Sequence, residues 1–356
     1  MSKGGDSMWQ SICKKVALTF GFIYGLYAIF YGVKRMHPNT WNERPTEISS
    51  MMWRKDPVLI DIHRFSEISA LSTEVTVVTA YFNIGAFAKD LSGPRTPSVY
   101  HRWMSIFGRL DNPLIIFSDQ DNVLEVFRKL RSRYPPNRTK IIKVEKTELW
   151  AFSLAPNISE IFRQKDYPAH QPNTINENYS CVMHAKFELM NRVIREKLYA
   201  TKYISWLDIG LFRAVTHEKH SFLMQIPPDW NENKIAYSEV HEFDPSLTPR
   251  DCIFKNLVWV SGAMFMGRPE VLYLYTKDYM SAVKKLIGQK LMSTDQQVIY
   301  IMYLPSFNFQ PRVEIQTYTT YSNDDWFYLG YMLKDKWERY QIRELLPLVR
   351  FFFYHL

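Results

Sequence analysis

YISWLDIG, residues 203 to 210, is the stretch on which the fold turns. Tyr203 to Leu207 is a short apolar run, long enough for a buried strand and too short for a buried helix. It ends on Asp208-Ile209-Gly210, which puts a carboxylate and a glycine at the carboxyl edge of a sheet, where open α/β sheets bind ligands. Upstream, Met183, Phe187, Met190, Ile194 and Leu198 recur at spacings of three and four, an amphipathic helix running straight into this strand. Earlier still come VTVVTA (75–80), LIIF (114–117), a helical stretch from Val123 to Leu130, and KIIKV (140–144). Strand, helix and strand in that rhythm predict an α/β domain around a mostly parallel sheet with right-handed crossovers. Downstream, Leu257 to Met266 reads as a strand containing Ser261-Gly262, Pro269 opens a helix, and Thr294 to Tyr303 is another.

The chain has 356 residues, 46% hydrophobic and 22% charged, enough to build a large core and a poor match to disorder, collagen or a multi-span membrane bundle. The net charge of +8 comes from 44 basic and 36 acidic residues spread along the chain. No Lys/Arg run of the nucleic-acid type stands out, so a nucleic-acid partner is not expected, whereas a phosphate-bearing ligand fits. There is no internal repeat and no P-loop.

Val16 to Val33 (VALTFGFIYGLYAIFYGV) carries no charge and lies between Lys14-Lys15 and Lys34-Arg35. At about 1.5 Å per residue it just crosses a bilayer core of roughly 30 Å, so it is read as a single-pass transmembrane helix and signal anchor. Positive charge is nearly balanced across this span, and orientation is read instead from the sequons at Asn137, Asn157 and Asn178, which accept glycans only in a lumenal body. The expected organisation is a short cytoplasmic tail (1–15), an anchor (16–33), a Pro-containing stem (34–73) and a lumenal folded body (74–356). That is a type II membrane protein of the Golgi or ER. Cys181 and Cys252 are the only pair that an oxidising lumen could join; the alternative is two buried free thiols. Val349 to Leu356 (VRFFFYHL) is too short to cross a bilayer and is read as docking on the body or the interface.

Asp119 and Asp208 each follow an apolar strand, either as ligand-edge carboxylates or as turn and cap residues. The ordered blocks VTAYFNIG, RWMSIFGRLDNPLIIFSD, AKFELMNRVI, YISWLDIGLFR, SGAMFMGRPE and TDQQVIYIMYLPSFNF, spanning about residues 75 to 310, resemble the WlaTC/HtrL (YibB-like) glycosyltransferase family. That resemblance implies a GT-A-like fold and transfer of a hexose from a nucleotide sugar to a glycan or glycoconjugate. A second class of function is a GT-A-like relative that binds the glycan or nucleotide sugar without turnover. Carried onto this sequence, Asp208 falls in the family's Trp-x-Asp-x-Gly block, the counterpart of a metal-binding acidic pair, with Gly210 where the second acid would stand. The implied cofactor is a divalent cation, Mn²⁺ or Mg²⁺, neutralising the donor diphosphate. One carboxylate is a thin site for it, and no spacing rule selects His217 or His241 as a further ligand. A metal-free site would lean on Lys186 or Arg213. Thr79, Tyr81 and Asn83 end the first strand, where a GT-A fold holds base and ribose, with Tyr81 able to stack on the base or simply to pack. Ser261 and Gly262 correspond to a turn near the acceptor, or else to a β-bulge. Asp295 is the candidate base for the acceptor hydroxyl, and as the first residue of a helix it also suits a capping role.

Overall fold

The computed structural model describes residues 74–89, 93–198, 201–320 and 325–334. The tail, anchor and stem expected over 1–73, and the C-terminal 349–356, lie outside the described residues. The chain divides into two units, 1–60 and 61–356, and everything described belongs to the second. Among the described residues no helix is long and apolar enough to cross a membrane.

The body is built on strands β1 (Val75–Tyr81), β2 (Leu114–Ser118), β3 (Thr139–Lys143), β4 (Tyr203–Leu207), β5 (Ile235–Glu239), β6 (Val260–Gly267) and β7 (Ile315–Tyr318). Its helices longer than a single turn are α1 (Pro97–Met104), α2 (Asp121–Leu130), α3 (Ala155–Phe162), α4 (Glu177–Arg195), α5 (Pro249–Phe254), α6 (Pro269–Gly288) and α7 (Asp295–Met302). The seven strands form one sheet in the order β3-β2-β1-β4-β6-β5-β7. All neighbours pair in parallel except at β6, which runs against both β4 and β5. The sheet is therefore mixed, a refinement of the parallel arrangement expected from the β-α-β rhythm.

Alternation along the strands explains the layers. Val75, Val77, Leu114, Ile116, Tyr203, Leu207, Met264 and Met266 face one core, which they share with Trp103, Phe107 and Phe127. Val78, Ile115, Phe117, Ile204, Trp206 and Phe265 face the other, against Phe187, Met190, Tyr275, Tyr279 and Ile299 from α4, α6 and α7. Near its middle, Phe187 stacks on Phe265 with centroids 5.3 Å apart. Both faces of the sheet are covered, as its near-continuous apolar strands require.

One helix boundary moved for a local reason, and two strands arose from pairing. The helix expected from Met183 starts at Glu177, because the Asn176 side chain accepts the Tyr179 N–H and caps a polar first turn that looks like loop. β5 and β7 were not anticipated: IAYSE and IQTY are short and half polar, and pairing to β6 and to each other supplies the order that their sequence lacks.

The order of strands matters most for function. From β1 the chain moves outward to β2 and β3, then returns to the other side of β1 to lay down β4. The sheet's switch point thus lies between β1 and β4, and ligand crevices of open α/β sheets form there, outside the carboxyl ends. Because β6 is antiparallel, its amino-terminal residues Ser261 and Gly262 reach this same edge.

Candidate functional site

At the switch point a lysine holds two aspartates. Lys186, on α4, is buried, and its ammonium donates to an Asp208 carboxylate oxygen (3.1 Å), to Asp295 Oδ2 (2.9 Å) and to the Gly262 carbonyl (2.9 Å). All three of its N–H donors are used. Burial alone would lower its pKa, but the two carboxylates outweigh that and hold it above the usual lysine range. Lys186 is therefore not the free phosphate-binding cation expected from sequence; it is the clamp of the site.

The two aspartates differ in access. The Asp208 side chain is 32% exposed and the Asp295 side chain 3%. Asp208 is held rigidly: its N–H donates to Ala263 O (2.8 Å) and its Oδ1 accepts from the Trp206 indole (2.7 Å). Asp295 opens α7 as expected, but its carboxylate faces inward onto Lys186, so it does not meet an acceptor hydroxyl in this arrangement. Gly262 explains how Asp295 fits. A Cβ built there would lie 2.2 Å from Asp295 Oδ2, so only glycine admits the carboxylate. Ser261 and Gly262 are both buried, and the Ser261 hydroxyl accepts the Ala263 N–H (3.2 Å). They support the aspartate pair from within the sheet and are not the exposed turn expected from sequence.

Other expected residues serve the scaffold. Thr79 is fully buried in β1, with its hydroxyl unpartnered among the described residues. The Tyr81 ring is buried against Tyr100 (5.5 Å) and His101 (6.3 Å), which leaves it a packing residue and not a base-stacking platform. Asp119 is 4% exposed, pairs with Lys146 (3.1 Å) and accepts the Asn83 N–H (3.3 Å). It ties the ends of β1 and β2 together and offers no free carboxylate. Asn83 in turn accepts the N–H of Gly85, whose φ of +81° the turn requires. Gly210 lies against the Trp103 ring, 3.1 Å from a built Cβ, and so lets the Asp208 loop approach α1. Arg213 is exposed over Phe327 (4.6 Å).

Sequence reasoning missed a second layer of the site. Lys89 follows β1, and its ammonium donates to the Tyr179 hydroxyl (3.0 Å). Although the residue is exposed, burial around the ammonium lowers its pKa against the opposing pull of Tyr100 and Asp208. Tyr100 and Tyr179 are both raised above the usual phenol range by burial, with Asp208 adding to it. Arg95 is buried over Trp103 (5.3 Å). Lys89, Tyr100 and Tyr179 thus feel the charge of Asp208, and Arg95 acts on the two tyrosines. They come from a loop and two helix starts, which carry no periodicity to betray them.

A divalent cation finds no vacant place in this donor set. Mn²⁺ and Mg²⁺ need several oxygens converging on open space, whereas Asp208 and Asp295 converge on an ammonium. No group of three or more His, Cys, Asp or Glu suited to a metal occurs among the described residues, and His217 and His241 are both exposed. The disulfide candidate is also corrected: Cys181 and Cys252 are free, buried thiols, each pushed up to about 12 by burial. Asn137, Asn157 and Asn178 are all exposed.

A family model described as "Bacterial protein of unknown function (HtrL_YibB)" matches residues 73–329. The chain belongs to this family. The match takes in β1 to β7 and every residue of the lysine–aspartate cluster. Protein HtrL of Escherichia coli (strain K12) is 22% identical over 293 residues, covering 75% of this chain and 91% of that protein. The crystal structure of mouse xyloside xylosyltransferase 1, apo form, is 13% identical, with 66% of this chain and 84% of that chain covered and a TM-score of 0.33. A likeness that faint decides nothing about this member of the HtrL_YibB family.

One side chain in the same helix sets an acid limit on the fold. His184 is fully buried, its Nδ1 shares a hydrogen with the Tyr279 hydroxyl (2.7 Å), and its pKa is pulled down to about 3 by burial and by Lys186. Between pH 6.5 and 3 the unfolded chain takes up a proton that the native chain refuses. The stability tied to His184 is therefore complete above pH 6.5 and lost as pH falls toward 3, by about 4 to 5 kcal/mol over the whole span. Urea unfolding of wild type and His184→Gln at pH 7, 5 and 4 checks this, with the acid slope expected to be shallower in the variant.

Proposed function

We propose that this protein is a glycosyltransferase of GT-A type that transfers a hexose from a nucleotide sugar to a glycan or glycoconjugate. The observation that carries the reading is the rigidly held, partly exposed Asp208 carboxylate at the β1–β4 switch point, with Lys89 and two tyrosines within its electrostatic reach. A mostly parallel sheet flanked by helices is what a GT-A fold asks for, and this edge is where such a sheet takes its ligand. In the reaction an acceptor hydroxyl oxygen bonds to the sugar's anomeric carbon, the bond from that carbon to the diphosphate oxygen breaks, and the nucleoside diphosphate leaves. Asp208 is the carboxylate placed to contact sugar or acceptor and to receive the hydroxyl proton. Lys89 spends one N–H on Tyr179, leaving donors for the diphosphate. Lys186 keeps Asp208 and Asp295 in place. Anchoring through residues 16–33 and a lumenal, Golgi or ER setting complete the reading, supported by the three exposed sequon asparagines.

The second reading, a binding protein without turnover, is favoured by one observation: Asp295 is shut in by Lys186, which leaves a single accessible carboxylate. A thermal-shift panel of UDP-, GDP- and CMP-sugars tests for the donor site, since a ligand held only by the native state raises the unfolding midpoint. One donor class is expected to raise it, and Lys89→Met to weaken that donor about tenfold or more, the worth of one charge-assisted contact. No shift with any donor in folded protein would remove the nucleotide-sugar reading altogether.

A further inference from the structure

Oxygens from three residues converge on one point at the switch edge: the Asp208 carboxylate, Asp295 Oδ2 and the Gly262 carbonyl, each 2.9 to 3.1 Å from the Lys186 nitrogen. Both Asp208 oxygens lie 3.1 Å from that nitrogen. Such a set is of the kind that holds a hard divalent cation, at distances a few tenths of an ångström longer than Ca²⁺–O bonds. We propose that Lys186 is a resident cation filling a latent metal cage, so that the place of Mn²⁺, Mg²⁺ or Ca²⁺ is already taken by an ammonium. Three features carry this. The ammonium is 3% exposed, so it cannot swing out and make way for an ion without leaving two carboxylates facing each other. Its three donors serve the three residues one each. Gly262, by lacking a Cβ, lets Asp295 close the cage from the α7 side.

The lysine is thus a positioning residue: it fixes Asp208 and Asp295, with each end of the contact set by a different element, α4, β6, α7 and the end of β4. The charge argument stands on the geometry alone. Its consequence, that transfer proceeds without added divalent cation, rests on the glycosyltransferase reading. The test is therefore chosen to be blind to transfer.

Mn²⁺ is titrated into the full-length chain, and bound ion is read by electron paramagnetic resonance and by the unfolding midpoint, for wild type, Asp208→Asn and Lys186→Ala. Wild type is expected to bind no stoichiometric Mn²⁺ and to keep its midpoint in chelator. Lys186→Ala is expected to gain a Mn²⁺-dependent rise in midpoint and a bound-ion signal at one equivalent. Stoichiometric binding by wild type that disappears in Asp208→Asn would overturn the proposal, as would a folded Lys186→Ala that ignores Mn²⁺ and Ca²⁺ alike. Should Lys186→Ala fold only when Mn²⁺ is present, that supports the cage; should it not fold at all, the wild-type titration decides by itself. Because no sugar donor enters the assay, its result is independent of whether the protein is a transferase.

Discussion

Gly262→Ala is expected to cut activity on the order of 100-fold and to lower stability, although it adds a single methyl group. The new carbon would lie 2.2 Å from Asp295 Oδ2 and 2.8 Å from its Cγ, inside any tolerable contact. Asp295 is buried at the start of α7, and the shift that relieves this contact moves the carboxylate off Lys186. Overpacking costs about 1–3 kcal/mol, and separating a buried charge from its partner about 3–5 kcal/mol. At roughly 2–4 °C per kcal/mol for a body of this size, the unfolding midpoint should fall by about 10 °C or more. With Lys186 released from one side, Asp208 loses its fixed position, and a misplaced reacting group costs on the order of 100-fold in rate. Calorimetry with an activity assay at a temperature where both proteins are folded separates the two effects. An alanine variant with wild-type midpoint and rate would mean that Asp295 does not lie against Gly262.

Lys186→Met has the second large effect, and its pH dependence identifies the cause. Without the ammonium, Asp295 is a buried unpaired carboxylate and the Gly262 carbonyl loses its donor, a loss of about 3–5 kcal/mol at neutral pH. An unpaired buried carboxyl has its pKa raised in the native state above the unfolded value of about 3.9. The native variant then binds more protons than the unfolded chain. Its stability is highest at low pH and declines as pH rises through the raised pKa, so the variant is expected to lie closer to wild type at pH 5 than at pH 8. The double variant Lys186→Met/Asp295→Asn removes the stranded charge and should recover part of the loss, which a double-mutant cycle measures directly. A pH-independent deficit with no recovery would instead mean that Lys186 acts through the packing of its stem.

Much of this was legible in the residues. The β1, β2 and β4 strands are short apolar runs bounded by turn residues, a pattern that few other structures produce, and β4 matches YISWL residue for residue. Asp208 was found because an acid directly after such a strand has only the sheet edge to occupy. Lys186 was noticed for its charge, but its role was misjudged: on a helix wheel it falls among apolar positions, and nothing local says that two aspartates, 22 residues and 109 residues downstream, will meet it. Asp295 was placed correctly at a helix start, while its inward direction depends on Gly262, a glycine from another element. β5 and β7 escaped because their order comes from neighbours. Lys89, Arg95, Tyr100 and Tyr179 escaped because residues in loops and first helical turns have no period to read. Contacts within one element were readable, and contacts between elements were not.

The most direct test of the central claim is release of nucleoside diphosphate from the sugar donors by full-length wild type and by Asp208→Asn, each confirmed folded, since transferases deprived of acceptor hydrolyse donor slowly. The expected result is release from one donor class, reduced about 100-fold or more in Asp208→Asn at an unchanged unfolding midpoint. Release that is equal in the two proteins, or absent with every donor, would contradict a glycosyltransferase centred on Asp208.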